Sequence, residues 1–212
     1  MSRLVKVGLL AASAAVAACQ KVPPPASAAP KVVIEEAEAW RGIASARDSA
    51  ALDGLAARWR QALAAGRSAN LSRRISAEGP LLVPEARLAR AAPAPGSYRC
   101  RYVRPGGRKW VSSAQGFCYI GVEAGQLSLA TELRGLRLGG YLWELKGGEG
   151  LVFLGGAVPA GAATARAYGE EPARDAAGLV ERIGEFRYRL VLPEPSPGSG
   201  LTVVELVAAP RA

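Results

Sequence analysis

The segment Ser97–Arg104, SYRCRYVR, alternates between side chains suited to a protein interior and side chains suited to water. Tyr98, Cys100 and Tyr102 fall on one side of this alternation, and arginines lie between them, which is the period of a half-buried β-strand. The segment predicts a strand and marks the point where helical periodicity gives way to strand periodicity.

Eight further segments downstream have strand-like patterns, and glycine or proline separates most of them. They are Gly116–Val122, Leu127–Leu133, Leu138–Leu145, Leu151–Val158, Thr164–Tyr168, Leu179–Ile183, Phe186–Leu192 and Leu201–Val207. Eight or nine short strands at this spacing predict an antiparallel barrel or a sandwich. Consecutive hairpins give up-and-down order and closure removes exposed edges, so we expect a lipocalin-like up-and-down β-barrel. A two-sheet β-sandwich is the alternative.

Helical periodicity occupies residues 40–77, before the strands. A Ser-x-x-Asp capping box begins at Ser45, and apolar residues then recur every three or four positions. They predict a helix of about 20 residues, ended by Gly66, that packs across one open end or one face of the barrel. A shorter helix is expected within residues 68–77. The predicted fold class is therefore mainly β with an N-terminal α part (α+β).

The first residues have the three regions of a secretory signal peptide. Arg3 and Lys6 form a positive segment, and an apolar stretch then runs to small residues. The stretch is shorter than the roughly 20 residues that a membrane-spanning helix needs. Val16–Cys19 (VAAC) resembles the lipobox of bacterial lipoproteins, whose signal is cut before the cysteine. The resemblance implies a lipid on Cys19, and two or three acyl chains anchor a protein stably where one does not.

These patterns divide the chain into three parts. The parts are a lipoprotein signal peptide (1–18), a tether rich in proline and alanine (19–36) and a single domain (37–209) with helical (40–77) and β (97–207) regions. Four prolines between residues 20 and 30 predict an extended tether. We expect the protein to face the periplasm, anchored in the outer membrane, because Gln20 is not the aspartate that opposes export there in the enterobacterial pattern.

Cys100 and Cys118 fall at inward positions of two strands. If Cys19 is lipidated in an oxidising periplasm, these two cysteines remain, and we expect a disulfide between them. The alternative, a redox or nucleophilic cysteine, needs an activating base or a cationic pocket. Histidine is absent from the sequence, which removes the commonest general base and the commonest metal ligand. We expect no metal and no cofactor.

The chain carries a formal net charge of +9, which predicts attraction to anionic surfaces. Arg99 and Arg101 alternate on one predicted strand, and Arg187 and Arg189 alternate on another. If these strands come together, the four guanidinium groups form a surface suited to phosphate or carboxylate. The alternative is that they solvate outer strand faces and oppose edge aggregation. We expect an anionic envelope component or a protein as partner, besides the membrane, and no specific nucleic acid.

Carboxylates are the remaining conventional acid and base groups. Glu78, Glu170, Glu171 and Asp175 are candidates for a hydrolytic pair, although nothing in the sequence fixes the distances between them. Solvation of turns and local capping explain the same residues.

Three segments of the chain form a distinctive set, namely SAEGPLL at Ser76–Leu82, PGSYRCR at Pro95–Arg101 and DAAGLVERIGEFRYRLVLPEP at Asp175–Pro195. Together they resemble a family of uncharacterised alphaproteobacterial lipoproteins, a domain-of-unknown-function family. The resemblance covers about Trp40 to Ala209 and implies an envelope location, but it carries over no catalytic residue. At the level of fold, the chain also resembles lipocalin-like barrels, which bind small apolar ligands.

Three functional hypotheses follow. We expect a non-enzymatic, lipid-anchored binding or accessory module of the cell envelope. The alternative is a carrier of a small apolar ligand inside the barrel, and the third hypothesis is a hydrolase that uses carboxylates.

Overall fold

The computed structural model describes residues 38–106, 108–159, 161–194 and 200–210. In this part of the chain, a helical region precedes nine strands. The strands are β1 (Gly96–Arg104), β2 (Val111–Ser112), β3 (Gly116–Glu123), β4 (Gln126–Leu133), β5 (Leu136–Glu144), β6 (Leu151–Ala157), β7 (Asp175–Arg182), β8 (Arg187–Pro193) and β9 (Leu201–Ala208). The predicted signal peptide, tether and lipidation site at Cys19 lie outside the described residues and stay predictions.

Eight of these strands form a closed antiparallel barrel. From β3 to β9 each strand pairs with the next along the chain, and β1 pairs with β3. The barrel closes where β1 pairs with β9 through six residue pairs, from Tyr98↔Ala208 to Val103↔Val203. The short β2 pairs with the end of β1 and is the additional strand. The predicted barrel is therefore confirmed, and the two-sheet sandwich is wrong.

Side chains fill the interior of the barrel. Alternate residues of each strand point inward, and 17 of them form one buried cluster in which no residue is more than 8% exposed. Tyr98 and Tyr188 meet edge to face in this cluster, with ring centroids 6.0 Å apart. Phe153 is fully buried among leucines and valines from the surrounding strands. The middle of the barrel is thus a packed core.

Two facing glycines allow β5 and β6 to approach closely. Gly140 pairs with Gly155, and a Cβ placed on Gly140 would lie 2.4 Å from the Cα of Gly155. A Cβ on Gly155 would lie 2.7 Å from the ring of Phe153. Because any side chain would collide there, only glycine fits beside this ring.

The helical region differs from the prediction. It contains α1 (Ala46–Asp53), α2 (Leu55–Ser68) and α3 (Ser72–Ala77), with short 3-10 helices at Ala39–Gly42, Gly79–Leu82 and Pro84–Ala86. The single helix of about 20 residues is wrong, because the chain breaks at Gly54 between α1 and α2. Ser45 caps α1 as predicted, since its Oγ accepts a hydrogen bond from the Asp48 N–H at 3.1 Å. No helix among the described residues is long and apolar enough to cross a membrane.

Gly66 does not end α2 but lies inside it, in a buried position. A Cβ on Gly66 would lie 2.2 Å from the carbonyl oxygen of Pro105, which follows β1. The glycine therefore permits close packing between the helix and the chain that leaves the barrel.

The helices form a layer outside the barrel wall. Leu55, Trp59 and Leu63 of α2 pack with Ile75 of α3. Outward-pointing residues of β1, β8 and β9 complete this cluster, namely Val103, Val191, Leu201 and Val203. The prediction that the helices cover one face of the barrel is confirmed, and the barrel has a second core between wall and helices.

The predicted strand at Thr164–Tyr168 is wrong. This segment belongs to the connection between β6 and β7, which has turns and bends instead. The Tyr168 hydroxyl accepts a hydrogen bond from the Ser45 N–H at 3.0 Å and donates one to the Asp48 carboxylate. The segment is therefore fixed by contacts with the start of α1 rather than by strand pairing.

Cys100 of β1 and Cys118 of β3 form a disulfide, with their Cα atoms 5.9 Å apart. Both face the barrel interior, where they are 1% and 0% exposed. Cys118 stands opposite Tyr98, so the bridge runs diagonally between the two strands. The predicted disulfide is confirmed.

Candidate functional site

The four arginines expected to form an anion-binding surface lie on the outer wall of the barrel. Arg99 and Arg101 are on β1. Arg187 and Arg189 are on β8, and β9 runs between these two strands. Glu205 of β9 pairs with Arg101 on one side and with Arg189 on the other. The arginine-bearing strands are close, as the hypothesis required, but a carboxylate lies between them.

Glutamate carboxylates accept hydrogen bonds from Arg101 and Arg187. Glu205 accepts a hydrogen bond from Nε of Arg101 at 2.7 Å and one from Nε of Arg187 at 2.6 Å. Glu78 accepts two more from the terminal nitrogens of Arg101, at 3.1 and 2.5 Å. The hydrogen bonding to Glu78 raises the pKa of the Arg101 guanidinium although partial burial opposes this. Both guanidinium groups are therefore neutralised within the protein.

Arg189 is fully buried in a cage of acceptors. Its Nε donates to the Glu181 carboxylate at 2.7 Å. Its terminal nitrogens donate to carbonyl oxygens of Pro80 at 2.9 Å, Val83 at 2.7 Å and Pro84 at 2.8 Å, with Leu81 at 3.3 Å. The guanidinium also lies 4.4 Å from the centre of the Trp59 ring. Burial lowers the pKa of Arg189 despite Glu181, yet an arginine stays charged at neutral pH.

We call this network the arginine–glutamate clamp. Its members are Glu78, Arg101, Glu181, Arg187, Arg189 and Glu205. The clamp differs from the open basic surface predicted, because three of the four arginines already have carboxylate partners. Arg99 is exposed, and its role in anion binding stays a prediction.

The clamp connects the three sequence segments that carry the family resemblance. Glu78 belongs to SAEGPLL, Arg101 to PGSYRCR and Arg189 to the EFRYRLVL part of the longest segment. The structure joins all three, since Glu78 binds Arg101 and Arg189 binds the carbonyls that follow Gly79. These segments therefore attach the 3-10 region to the barrel wall, which is a structural role.

The four carboxylates considered for hydrolysis have separate surroundings. Glu78 binds Arg101 in the clamp, and Glu171 accepts a hydrogen bond from Arg174 at 2.6 Å. Glu170 is exposed, and Asp175 accepts the Gly169 N–H at 3.1 Å. Of these four, Asp175 alone lines the pocket described next. Among the described residues, no group of three or more Asp, Glu or Cys side chains is placed to hold a metal ion.

One end of the barrel opens into a pocket of about 480 Å³, which we call the mouth pocket. Ends of β1, β5, β7, β8 and β9 form its base, and α1 with the start of α2 covers part of it. Its apolar lining comprises Ala50, Ala51, Leu136, Leu138, Ala176, Ala177, Leu192 and Pro193. Its polar lining comprises Arg47, Asp48, Arg58, Arg104, Asp175, Glu194 and Thr202.

Asp48 is held at the rim of the mouth pocket by three hydrogen bonds. Its carboxylate accepts one from the Arg47 Nε at 3.0 Å and one from the Tyr168 hydroxyl on the other oxygen, and its backbone N–H donates one to the Ser45 Oγ. Burial would raise the pKa of this carboxyl, but the hydrogen bonds outweigh it and lower the pKa. Asp48 is therefore an ionised structural group that joins α1 to the β6–β7 connection.

A second polar group lies where β8 ends and β9 begins. Arg104 donates from Nε to the Thr202 hydroxyl at 2.9 Å and lies 3.2 Å from a Glu194 carboxylate oxygen. Thr202 also contacts that carboxylate. Arg58 of α2 donates to the Glu194 carbonyl oxygen at 2.9 Å. These contacts fix two guanidinium groups at the rim.

The three rim arginines each use one nitrogen in a hydrogen bond with a described residue. Arg47 and Arg104 each bond through Nε, and Arg58 bonds through one terminal nitrogen. Within the described part of the chain, their other guanidinium nitrogens form no hydrogen bond. An arginine has five N–H donors, so most donors of these three arginines have no partner among the described residues.

The sequence analysis did not single out Arg47, Arg58 or Arg104 as site residues; Arg47 and Arg58 fall within the predicted helix, between its apolar positions. Their position on a helix flank is the one signal available, and it does not distinguish a pocket rim from an ordinary solvated face. Arg104 reaches the rim because β1 ends there, which depends on how the barrel closes.

No match to this chain was found among the curated proteins or among the solved structures. A family model described as Domain of unknown function (DUF4893) matches residues 40–206. The match confirms the expected domain-of-unknown-function family, while the bacterial group and the lipoprotein signal stay predictions. It covers the helical layer, the clamp, the mouth pocket and nearly all of the barrel. The chain belongs to the DUF4893 family.

Proposed function

We propose that this protein is a non-enzymatic binding module of the cell envelope, anchored by a lipid on Cys19, with the mouth pocket as its ligand site. The observation that carries the proposal is the pocket itself, which lies above a packed barrel core and is partly roofed by α1 and α2. Small-molecule sites are concave, mostly apolar and equipped with a few convergent polar groups. The mouth pocket has these properties.

The lining suggests the kind of ligand. A volume of about 480 Å³ lies within the range of roughly 300 to 1,000 Å³ usual for small-molecule sites. Leucines and alanines offer an apolar floor, and the rim arginines offer N–H donors. A ligand with an apolar body and an acceptor group such as a carboxylate would satisfy both.

The alternative hypothesis is a carrier with its ligand inside the barrel, but the barrel interior leaves little room for a ligand. Tyr98, Phe153 and Tyr188 belong to the cluster that fills the interior. An apolar ligand would therefore have to bind in the mouth pocket, so both hypotheses assign the ligand to the same site.

Two of the three carboxylates that line the mouth pocket favour binding over hydrolysis. Asp48 is bonded to Arg47 and Tyr168, and Glu194 is bonded to Thr202 and Arg104. A carboxylate committed to several protein donors is poorly suited to exchanging a proton with a substrate. These groups serve the structure of the rim.

The pocket is tested by filling it. The dye 1-anilinonaphthalene-8-sulfonate serves as a probe with an apolar body and an anionic group, and dodecanoate and dodecanol serve as competitors. Ala51→Trp places an indole in the pocket, and Ala56→Trp, at an exposed position of α2 outside the lining, is the matched control. We expect Ala51→Trp to weaken dye binding at least about tenfold, a cost of about 1.4 kcal/mol. We also expect dodecanoate to displace the dye better than dodecanol.

Equal dye affinities for wild type and Ala51→Trp would contradict the assignment of the pocket. The anchor is tested separately by membrane fractionation of a Cys19→Ala form and by mass spectrometry of the mature N-terminus. We expect Cys19→Ala to leave the membrane fraction. Unchanged fractionation, or an unmodified thiol, would contradict the lipid anchor without affecting the pocket.

A further inference from the structure

Two of the three α-helices, α2 and α3, carry only positively charged ionisable side chains. Residues 55–77, which include α2 and α3, contain five arginines and neither aspartate nor glutamate. This segment therefore supplies a charge of +5 to a chain whose net charge is +9. Residues 86–122 are also basic, with six arginines, one lysine and no acidic residue, but three of those arginines bind carboxylates.

Four of these arginines point away from the barrel. Arg60, Arg67, Arg73 and Arg74 are exposed, whereas the apolar residues of the same helices pack against the wall. Arg60 and Arg67 are seven residues apart and lie on one flank of α2. We call these four residues the basic helical face. The fifth, Arg58, faces the mouth pocket.

The basic helical face lacks carboxylate partners. Ion pairs occur throughout the barrel and in the clamp, but within the described ranges none involves any of the four arginines. Arg108 and Lys109 are also exposed, and they follow Gly106, whose Cβ would lie 3.1 Å from Ala62 of α2.

We infer that the basic helical face docks on an anionic membrane surface. Each lysine or arginine near such a surface contributes about a fivefold gain in binding, and salt removes the effect within a short screening length. The four arginines together are well matched to a layer of phosphate headgroups, since guanidinium binds phosphate through two parallel hydrogen bonds.

The choice of a membrane as partner rests on the lipid anchoring proposed above. A tether over residues 19–36 would span at most roughly 60 Å, so it would hold the domain near the bilayer without orienting it. Docking through α2 and α3 would supply that orientation and place the clamp and helices between the barrel and the lipid.

Arginine footprinting tests the inference directly. The full chain is incubated with excess vesicles of phosphatidylcholine alone or with added phosphatidylglycerol, and phenylglyoxal modification of each arginine is followed by mass spectrometry. We expect the basic helical face to react at least about fivefold more slowly on the anionic vesicles, with the difference lost in 1 M salt. Arg134 is the internal control, because it is exposed in the β4–β5 turn on the opposite wall.

A pair of matched variants sharpens the test. Arg67→Gln with Arg74→Gln removes two charges of the basic helical face, and Arg134→Gln with Arg166→Gln removes two exposed charges elsewhere. At fivefold for each arginine, the first variant lowers the docking constant up to about 25-fold and exposes Arg60 and Arg73 again. The second variant leaves the protection of Arg60 and Arg73 from phenylglyoxal unchanged.

Equal modification rates on neutral and anionic vesicles would overturn the inference. Protection by heparin but not by anionic vesicles would also overturn it, and would indicate an anionic polymer as partner. The intact mass of the same sample reports the lipid on Cys19, so failure of the proposed anchoring is distinguishable from failure of docking.

Discussion

Replacement of Arg189 by methionine should severely destabilise the fold. Arg189 is 0% exposed and donates to Glu181, whose side chain is 5% exposed. It also donates to carbonyl oxygens of the segment from Pro80 to Pro84. Methionine retains much of the side-chain volume but supplies no donor and no charge.

The expected loss follows from the groups left behind. Removal of one partner from a buried ion pair costs about 3 to 5 kcal/mol, because the other charge stays buried without compensation. Several carbonyl oxygens also lose their donor, at about 1 to 3 kcal/mol for each that water cannot reach. We expect Arg189→Met to lower the free energy of unfolding by at least about 4 kcal/mol. This is a large part of the 5 to 15 kcal/mol typical of a domain.

Urea unfolding of the disulfide-bonded protein, followed by circular dichroism, measures this loss. Arg187→Met is the matched control, because Arg187 is 31% exposed at its side chain and Glu205 keeps Arg101 as a partner. We expect the control to lose at most about 1 kcal/mol. The double variant Arg189→Met with Glu181→Met should regain part of the loss, since no buried charge is then unpaired.

Two outcomes would refute this reasoning. One is a loss below about 1 kcal/mol for Arg189→Met at an unchanged dependence on urea. The other is an equal loss for Arg189→Met and Arg187→Met, which would mean that the acceptor cage contributes nothing beyond a surface ion pair.

Three further predictions concern stability. Gly66→Ala places a methyl group 2.2 Å from the Pro105 carbonyl oxygen and should lower the free energy of unfolding, measured with urea, by about 1 to 3 kcal/mol. An unchanged midpoint of urea unfolding would contradict the close packing. Replacing Cys100 and Cys118 by alanine removes a cross-link between residues 18 apart and should lower the free energy of unfolding by about 3 kcal/mol. A free energy of unfolding equal to that of the oxidised wild type would contradict this prediction. Burial raises the pKa of Tyr98 to about 12. Above pH 10 the unfolded chain loses this proton first, so the free energy of unfolding should fall by about 2 kcal/mol between pH 10 and 12, and a Tyr98→Phe variant with the same slope would contradict this prediction.

Strand positions were predictable because the alternation of inward and outward side chains that indicates a strand lies within a few consecutive residues. The alternation of Tyr98, Cys100 and Tyr102 follows from the period of two in an extended chain, which needs no knowledge of the partner strand. The same argument placed Cys118 inward, so the disulfide could be anticipated from two strands and an oxidising location.

Helix continuity and the clamp were not predictable in the same way. The apolar pattern continues across Gly54, so the break between α1 and α2 has no periodic signal. Besides Glu181, the partners of Arg189 are carbonyl oxygens more than 100 residues earlier in the chain. Tyr168 similarly binds Asp48 across 120 residues, and its segment therefore does not form a strand.

The sequence by itself determined the barrel strands, their inward faces, the helical region and the absence of histidine, because periodicity and composition act over short stretches of chain. Tertiary structure alone decided which carboxylate meets which arginine and where a pocket opens. Barrel closure inserts β9 between β1 and β8, which turns a predicted basic surface into ion pairs. The ends of distant strands meet around the mouth pocket for the same reason, since the contacts of a closed sheet are set by its topology rather than by any local stretch of residues.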